Sequence, residues 1–185
     1  MKKSVIFIVI LFAFISCKNQ SELSNLFDCR TSNLENSKSI SDFNKNFKLN
    51  IPINWKSELY YNEFQSEIFT ADTTKQLSES FILDTSFNNG NLTFDTIFYQ
   101  KTDSILKSNN LEMVNSGSIQ FKNKPAFWYL VKGEKKGFEF HQFNILVKNS
   151  NNNYFTANSD IYGNKNINSR ICETISLLNT VEFLQ

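Results

Sequence analysis

The chain is poor in the residues that usually carry chemistry. It has one histidine in 185 residues, and only two prolines. It contains no Gly-x-Ser-x-Gly, no Cys-x-x-Cys, no glycine-rich phosphate loop and no histidine-based zinc spacing. No catalytic residue, cofactor site or metal-ligand set can therefore be named from motifs, and none is expected. Neither sign of charge prevails: without the first 16 residues the balance is 17 basic to 18 acidic side chains. A near-neutral chain without a basic block lacks the electrostatic footprint of a nucleic-acid binder. Beyond Cys17 no stretch approaches the roughly 18 apolar residues of a membrane-spanning helix. No internal repeat is found.

What is present begins with Met1–Cys17. Lys2 and Lys3 precede an apolar run from Val5 to Ile15, then Ser16 and Cys17. A charged start, an apolar middle and a small residue at the cut make up a secretory signal. At about 1.5 Å per residue the run spans roughly 16 Å, too short for a bilayer core of about 30 Å. Phe14-Ile15-Ser16-Cys17 resembles a bacterial lipobox, with Phe14 where Leu is preferred. The resemblance implies diacylglyceryl transfer to the Cys17 sulfur, cleavage after Ser16 and acylation of the new terminus. The membrane is then a partner through lipid on Cys17. Each buried CH₂ contributes about 0.8 kcal/mol, and stable anchoring takes more than one chain. Lys18, where Asp would favour inner-membrane retention, points to the outer membrane, with the face left open. The competing reading is an ordinary signal peptide with an incidental cysteine.

The 169 residues that remain suffice for one domain with a sizeable core. Of 19 phenylalanines only three lie in the signal, so many large side chains need burial. Cys29 and Cys172 would meet an oxidising compartment. Their pairing would close a loop of about 144 residues, worth about 5 kcal/mol in the chain-entropy account. The alternative leaves both thiols free, with Cys172 packed as a small apolar residue.

Lys18 to Lys45 is polar and reads as a tether, with room for a short helix at Leu23, Leu26 and Phe27; the domain runs over 46–185. Phe47, Leu49 and Ile51 alternate with polar residues as a half-buried strand ended by Pro52, with Trp55 in the following turn. Ser66–Ala71 and Ser80–Phe87 are further strands, and Asn88-Asn89-Gly90 is a turn. From Thr93 to about Asn109 the period changes. Phe94, Ile97, Phe98, Lys101 and Ile105 share one helical face, with Thr93 or Asn91 as N-cap. A strand over Leu92–Tyr99 competes. Glu112–Phe121, Ala126–Lys132, Phe138–Lys148 and Tyr154–Asn158 follow as strands with hairpin-length links, at 122–125, 133–137 and 149–153. Such links imply an antiparallel sheet. Ala126–Lys132 is apolar on both faces and suits a central strand covered on both sides. Ile167, Ile171, Ile175 and Leu178 mark a second helix from about Asn164, before a short strand at Thr180–Leu184. The expected fold is α+β, an antiparallel sheet covered by helices in an α/β/α sandwich.

This order resembles the PsbP-like fold. The carrying residues are Ile51-Pro52 with Trp55 after them, a helix to about Asn109, and Gly117 to Ala126 as glycine, strand, turn and Pro-Ala. Tyr154-Phe155-Thr156 and Val181-Glu182-Phe183 match the late strands. Asn123 stands where the family's turn usually has glycine, and Asn tolerates a positive φ. The family carries no common catalytic set, so the resemblance implies a fold and a binding or accessory role, with no transferable site.

The remaining candidates are weaker. Glu139 and His141 would project from the same face of one strand, as an acid/base pair or half a metal site, or as ordinary hydrogen-bonding residues. Asp72, Asp84, Asp95 and Asp103 lack calcium-loop spacing and read as solvated. Phe127, Trp128 and Tyr129 read as core rather than a stacking platform, and Trp55 as core or rim. Two functions follow. One is a lipid-anchored, non-enzymatic module that binds an envelope protein. The other is a small-ligand carrier or hydrolase with a pocket between sheet and helix near His141.

Overall fold

A computed structural model describes residues 20–30, 34 and 36–184. Met1–Cys17, and with it the signal and the lipidation site, lies outside the described residues. Among the described residues no helix is long and apolar enough to cross a membrane.

The architecture is α+β. Its main body is a seven-stranded sheet in the order β3-β4-β5-β9-β8-β7-β6, antiparallel at every pairing. The strands are β3 Lys56–Tyr61, β4 Gln65–Ala71, β5 Ile82–Asn89, β6 Glu112–Phe121, β7 Lys124–Lys135, β8 Phe138–Lys148 and β9 Asn153–Tyr162. Strands β6 to β9 form a meander, as short links demand. Lys122 (φ 52°) with Asn123 (φ 62°), and Lys136 (φ 55°) with Gly137 (φ 79°), make the two tight turns around β7. Positive φ at both central residues matches the right-handed twist of the flanking strands. Gly133, expected in the second turn, belongs to β7.

A second sheet, β1-β2-β10, joins Ser37–Ser41, Phe47–Pro52 and Glu182–Phe183. It lies against one face of the main sheet together with α1 (Glu22–Leu26) and α3 (Ile167–Leu178). Helix α2 (Thr96–Ser108) covers part of the other face. The core sits between the main sheet and the α1/α3 layer. Phe47, Leu49 and Ile51 of β2, Leu83 of β5, Phe143, Ile145 and Val147 of β8, and Ile171, Ile175 and Leu178 of α3 are all buried there. Each fully buried side chain of this size contributes about 1.5–3 kcal/mol. The α3 stripe is the one its periodicity predicts.

Several expectations are corrected. Two strands went unread. β3 is an edge strand with four exposed residues in a row, so no alternation marks it. β1 is the polar run SKSIS, recruited by backbone pairing with β2. Of the expected tether, the described residues 20–30 and 36–45 belong to the fold. Leu23 and Ser24 are buried, Phe27 packs edge-on against Trp128 at 4.8 Å, and β1 is hydrogen-bonded into the small sheet. Of the two states expected of Cys29 and Cys172, the structure holds the disulfide, which ties the α1 segment to α3. β7 is an interior strand covered on both faces, but it lies second from the edge. Gly117 stands opposite Trp128, where a Cβ would come within 3.0 Å of the indole nitrogen; the glycine lets the ring lie over β6.

Candidate functional site

Helix α2 starts at Asp95, whose carboxylate accepts from the Phe98 N–H at 2.9 Å. Asp95, and not Thr93 or Asn91, is therefore the N-cap. The helix seats on the sheet through Phe94, Phe98, Thr102 and Leu106, one residue per turn. Phe127 of β7 meets the rings of Phe94, Phe98 and Tyr99 at 5.1–6.2 Å. This face is rotated from the expected one: Ile97 and Ile105 are 73% and 50% exposed.

The rotation leaves a cleft of about 580 Å³ along the flank of α2. Its inner wall is Tyr129 of β7, Leu146 of β8 and Tyr154 of β9, with Leu92 and Leu106 beside them. Its outer rim carries Ile97, Phe98 and Ile105. Polar groups enter from Asn91, Thr93, Lys101 and Thr102, while the Asp95 carboxylate is committed to the cap. Burial pushes the Tyr129 phenol above its usual range. The arrangement is an open, mainly apolar trough with sparse polar groups, suited to holding apolar surface.

The sequence pointed to α2 and to a pocket between sheet and helix, but not to the residues that line it. The signal was there. Tyr129, Leu146 and Tyr154 are apolar or aromatic residues on the strand parity opposite the core, where the nearby Asn144, Lys148, Thr156 and Asn158 are polar and Phe138, Phe140 and Tyr162 lie at the far end of the strands.

His141 and Glu139 do not line the cleft, which corrects the expected placement. They share the α3-facing parity of β8, whereas the cleft lies on the opposite face of the sheet. His141 is half-buried opposite Lys132 and Ile161, and its Nδ1 is buried without a hydrogen-bond partner. Burial holds its pKa below the usual value, with Arg170 and Lys132 adding to the effect and Glu139 opposing it. Among the described residues no group of three or more His, Cys, Asp or Glu is placed to hold a metal ion.

Two aspartates expected in solvent are not. Asp72 is buried and accepts from the Thr74 N–H and hydroxyl at 3.0 and 2.6 Å, with Lys75 at 3.3 Å. Burial raises its pKa, but these donors outweigh burial and hold it low. Asp84 lies on the α2 side of β5, with one carboxylate oxygen buried and unpartnered. Its pKa is pushed up to about 7 by burial and by the charges of Glu67 and Asp160, against a hydrogen bond from Asn158. Of the other two, Asp95 caps α2 and Asp103 pairs with Lys107 at 2.6 Å.

Arg170 of α3 is 3% exposed. Its guanidinium donates to the carbonyls of Ser80 (3.0 Å), Tyr162 (2.8 Å), Gly163 (3.4 Å) and Lys165 (2.6 Å). It gathers three chain segments around one charge and acts as a structural staple.

No protein-family model matches the sequence, and no curated protein matches it. Solved structures do match in fold. The chain is similar to the solution structure of cyanobacterial PsbP (CyanoP) from Synechocystis, with a TM-score of 0.61 and 9% identity, over 84% of this chain and 96% of that one. It is also similar to a mutant of the protein Mog1, with a TM-score of 0.51 and 11% identity, over 81% and 97%. At such identities the likeness speaks to the fold alone, and the PsbP-like architecture is the one the strand order implies.

Proposed function

We propose that this protein is a lipid-anchored, non-enzymatic binding module of the cell envelope, and that it engages a protein partner through the α2 cleft. The exposure of Ile97 and Ile105 on the rim carries the reading. Two β-branched apolar side chains, two turns apart on one helix, face solvent beside an aromatic trough. Exposed apolar surface rimmed by polar groups favours protein docking. The anchor rests on the signal and lipobox pattern of Met1–Cys17, which would place the domain at the membrane, outer membrane favoured.

Photo-crosslinking from the native membrane tests the reading. A crosslinker at Ile97 or Ile105 should give one dominant protein adduct, and one at Lys136, in the β7–β8 turn, should give none. Equal labelling from all three positions, or none at Ile97 and Ile105, would sink it.

The cleft volume supports a second reading, a small-ligand carrier, since about 580 Å³ falls within the range of ligand pockets. A small molecule retained through purification, seen by native mass spectrometry and lost in Tyr129→Ala, would favour it over a protein partner.

A further inference from the structure

We propose that residues 20–30, closed by the Cys29–Cys172 bond, form a short clamp that holds the β6 flank of the domain against the lipid headgroup surface. The proposal rests on acylation of Cys17, as in the anchored reading above, and adds an orientation.

The argument is one of covalent reach. A chain spans at most about 3.3–3.6 Å per residue. Gln20 is three residues from Cys17, so their Cα atoms lie within about 11 Å of each other and the acylated sulfur only a side-chain length beyond. Gln20 is itself held in place. Its side-chain amide donates to the Cys29 carbonyl, and Cys29 is bonded to Cys172 of α3. Two residues on, the Glu22 carboxylate accepts the Gln120 N–H of edge strand β6 at 2.9 Å. Asn179 donates to the Ser24 hydroxyl at 3.0 Å, and Lys122 donates to the Asn179 carbonyl at 2.6 Å. The β6 edge and its turn thus lie beside the point where the chain leaves for the membrane. A released clamp would move the first held residue to Leu34, which packs against the core, 17 residues from Cys17, allowing a stand-off of up to about 60 Å.

The occupant of this flank is the headgroup layer. The short reach from Cys17, and not charge, selects it, since the ammoniums of Lys122 in the turn and of Lys124 at the start of β7 donate to the Asn179 and Asn149 carbonyls. The opposite edge, β3, is six strand spacings away, about 29 Å at about 4.8 Å each. Its exposed Tyr60 and Tyr61 then face away from the bilayer. The α2 cleft, over β7 and β8, lies in the membrane-proximal half.

With Cys29 and Cys172 bonded, Cys17 is the one free thiol of the mature chain. The oxidised mature chain is therefore coupled through Cys17 to a maleimide lipid in nanodiscs doped with a gadolinium-chelate lipid. Amide relaxation is then measured by NMR. Glu22–Leu26 and Gln120–Lys124 should relax several-fold faster than Glu58–Tyr61. An even profile, or one strongest at β3, would overturn the clamp. A flexible insertion of about 20 Gly and Ser residues between Asn19 and Gln20, with an r.m.s. span of about 25 Å, leaves the fold untouched and should flatten the gradient. A gradient unchanged by the insertion would overturn tether length as its cause. The mass of the chain extracted from bacterial membranes tests the anchor separately. An unmodified Cys17 removes the anchor, and the clamp's envelope role with it; a flat profile on the coupled chain removes the clamp alone.

Discussion

Arg170 is the side chain on which most backbone depends. Four carbonyls take its donors, and a buried carbonyl left unpaired costs about 1–3 kcal/mol. Arg170→Met keeps the volume and deletes the donors. It should cost about 3 kcal/mol or more, read as a lower urea midpoint at unchanged slope. A change under about 0.5 kcal/mol would show that the carbonyls find other donors. Asp84 predicts a pH dependence. Its folded pKa of about 7 lies above the unfolded value near 3.9. Its folded state therefore holds the proton more tightly. The stability it contributes is complete below the unfolded pKa and is lost as pH rises through about 7. Glu67 and Glu173, raised by burial, act in the same direction, and Asp72, held low by its donors, acts in the opposite one. Asp84→Asn should stabilise the protein at pH 8 and flatten the decline above pH 5 in urea titrations. An unaltered pH profile would remove Asp84 as its cause.

Helix α2 is the element on which sequence and structure part most usefully. Its existence was legible from the period change at Thr93, but its facing was not. Phe94 and Phe98 satisfy either facing, and only contact with Phe127 selects the one that exposes Ile97 and Ile105. Because these two rest on little, Ile97→Asp with Ile105→Asp should change thermal stability by less than about 1 kcal/mol. The same pair should abolish the Ile97-flank adducts detected by a crosslinker at Lys101. Retained adducts would move the binding surface elsewhere. Helix α1 shows the converse. Five residues are too short for a stable isolated helix. It persists because Leu23 and Phe27 reach the core, because Ser21 caps the Ser24 N–H, and because Cys29 is bonded to α3. Replacing Cys29 and Cys172 by Ala together should cost about 2–5 kcal/mol, measured by calorimetry. No loss would mean that packing alone holds α1.

For the whole molecule, the polar segment before Phe47 is part of the domain. Deleting residues 1–35 removes α1 and uncovers Trp128 and Phe143, which Phe27 contacts at 4.8 and 5.5 Å. The truncated chain should melt at a lower temperature and bind a hydrophobic dye that the intact chain excludes. Equal melting temperatures would return the segment to the status of a tether. With α1 in place, the molecule is a sheet with two unlike faces. One is sealed by α3, α1 and the small sheet. The other is only partly covered by α2, with the cleft at the helix flank and polar strands beyond it.

The sequence by itself determined the antiparallel meander, the α3 stripe, the turn at Asn123 and the α+β class. These follow from local rules: period two or near four, positive φ at short turns, and hairpin-length links. Only the tertiary structure decided which polar segments join sheets, which face α2 presents, and which aspartates are buried. Edge strands β1 and β3 carry little apolar pattern because one or both of their faces meet water. Tyr129, Leu146 and Tyr154 are far apart in sequence and become one wall only when β7, β8 and β9 lie side by side. The cysteine pair, and that it would pin the N-terminal segment onto the C-terminal helix, could be read from the sequence, but the core that this segment enters could not. The bond makes the segment next to Cys17 part of the fold, because it closes over Leu23 and Phe27, which already have a core to enter.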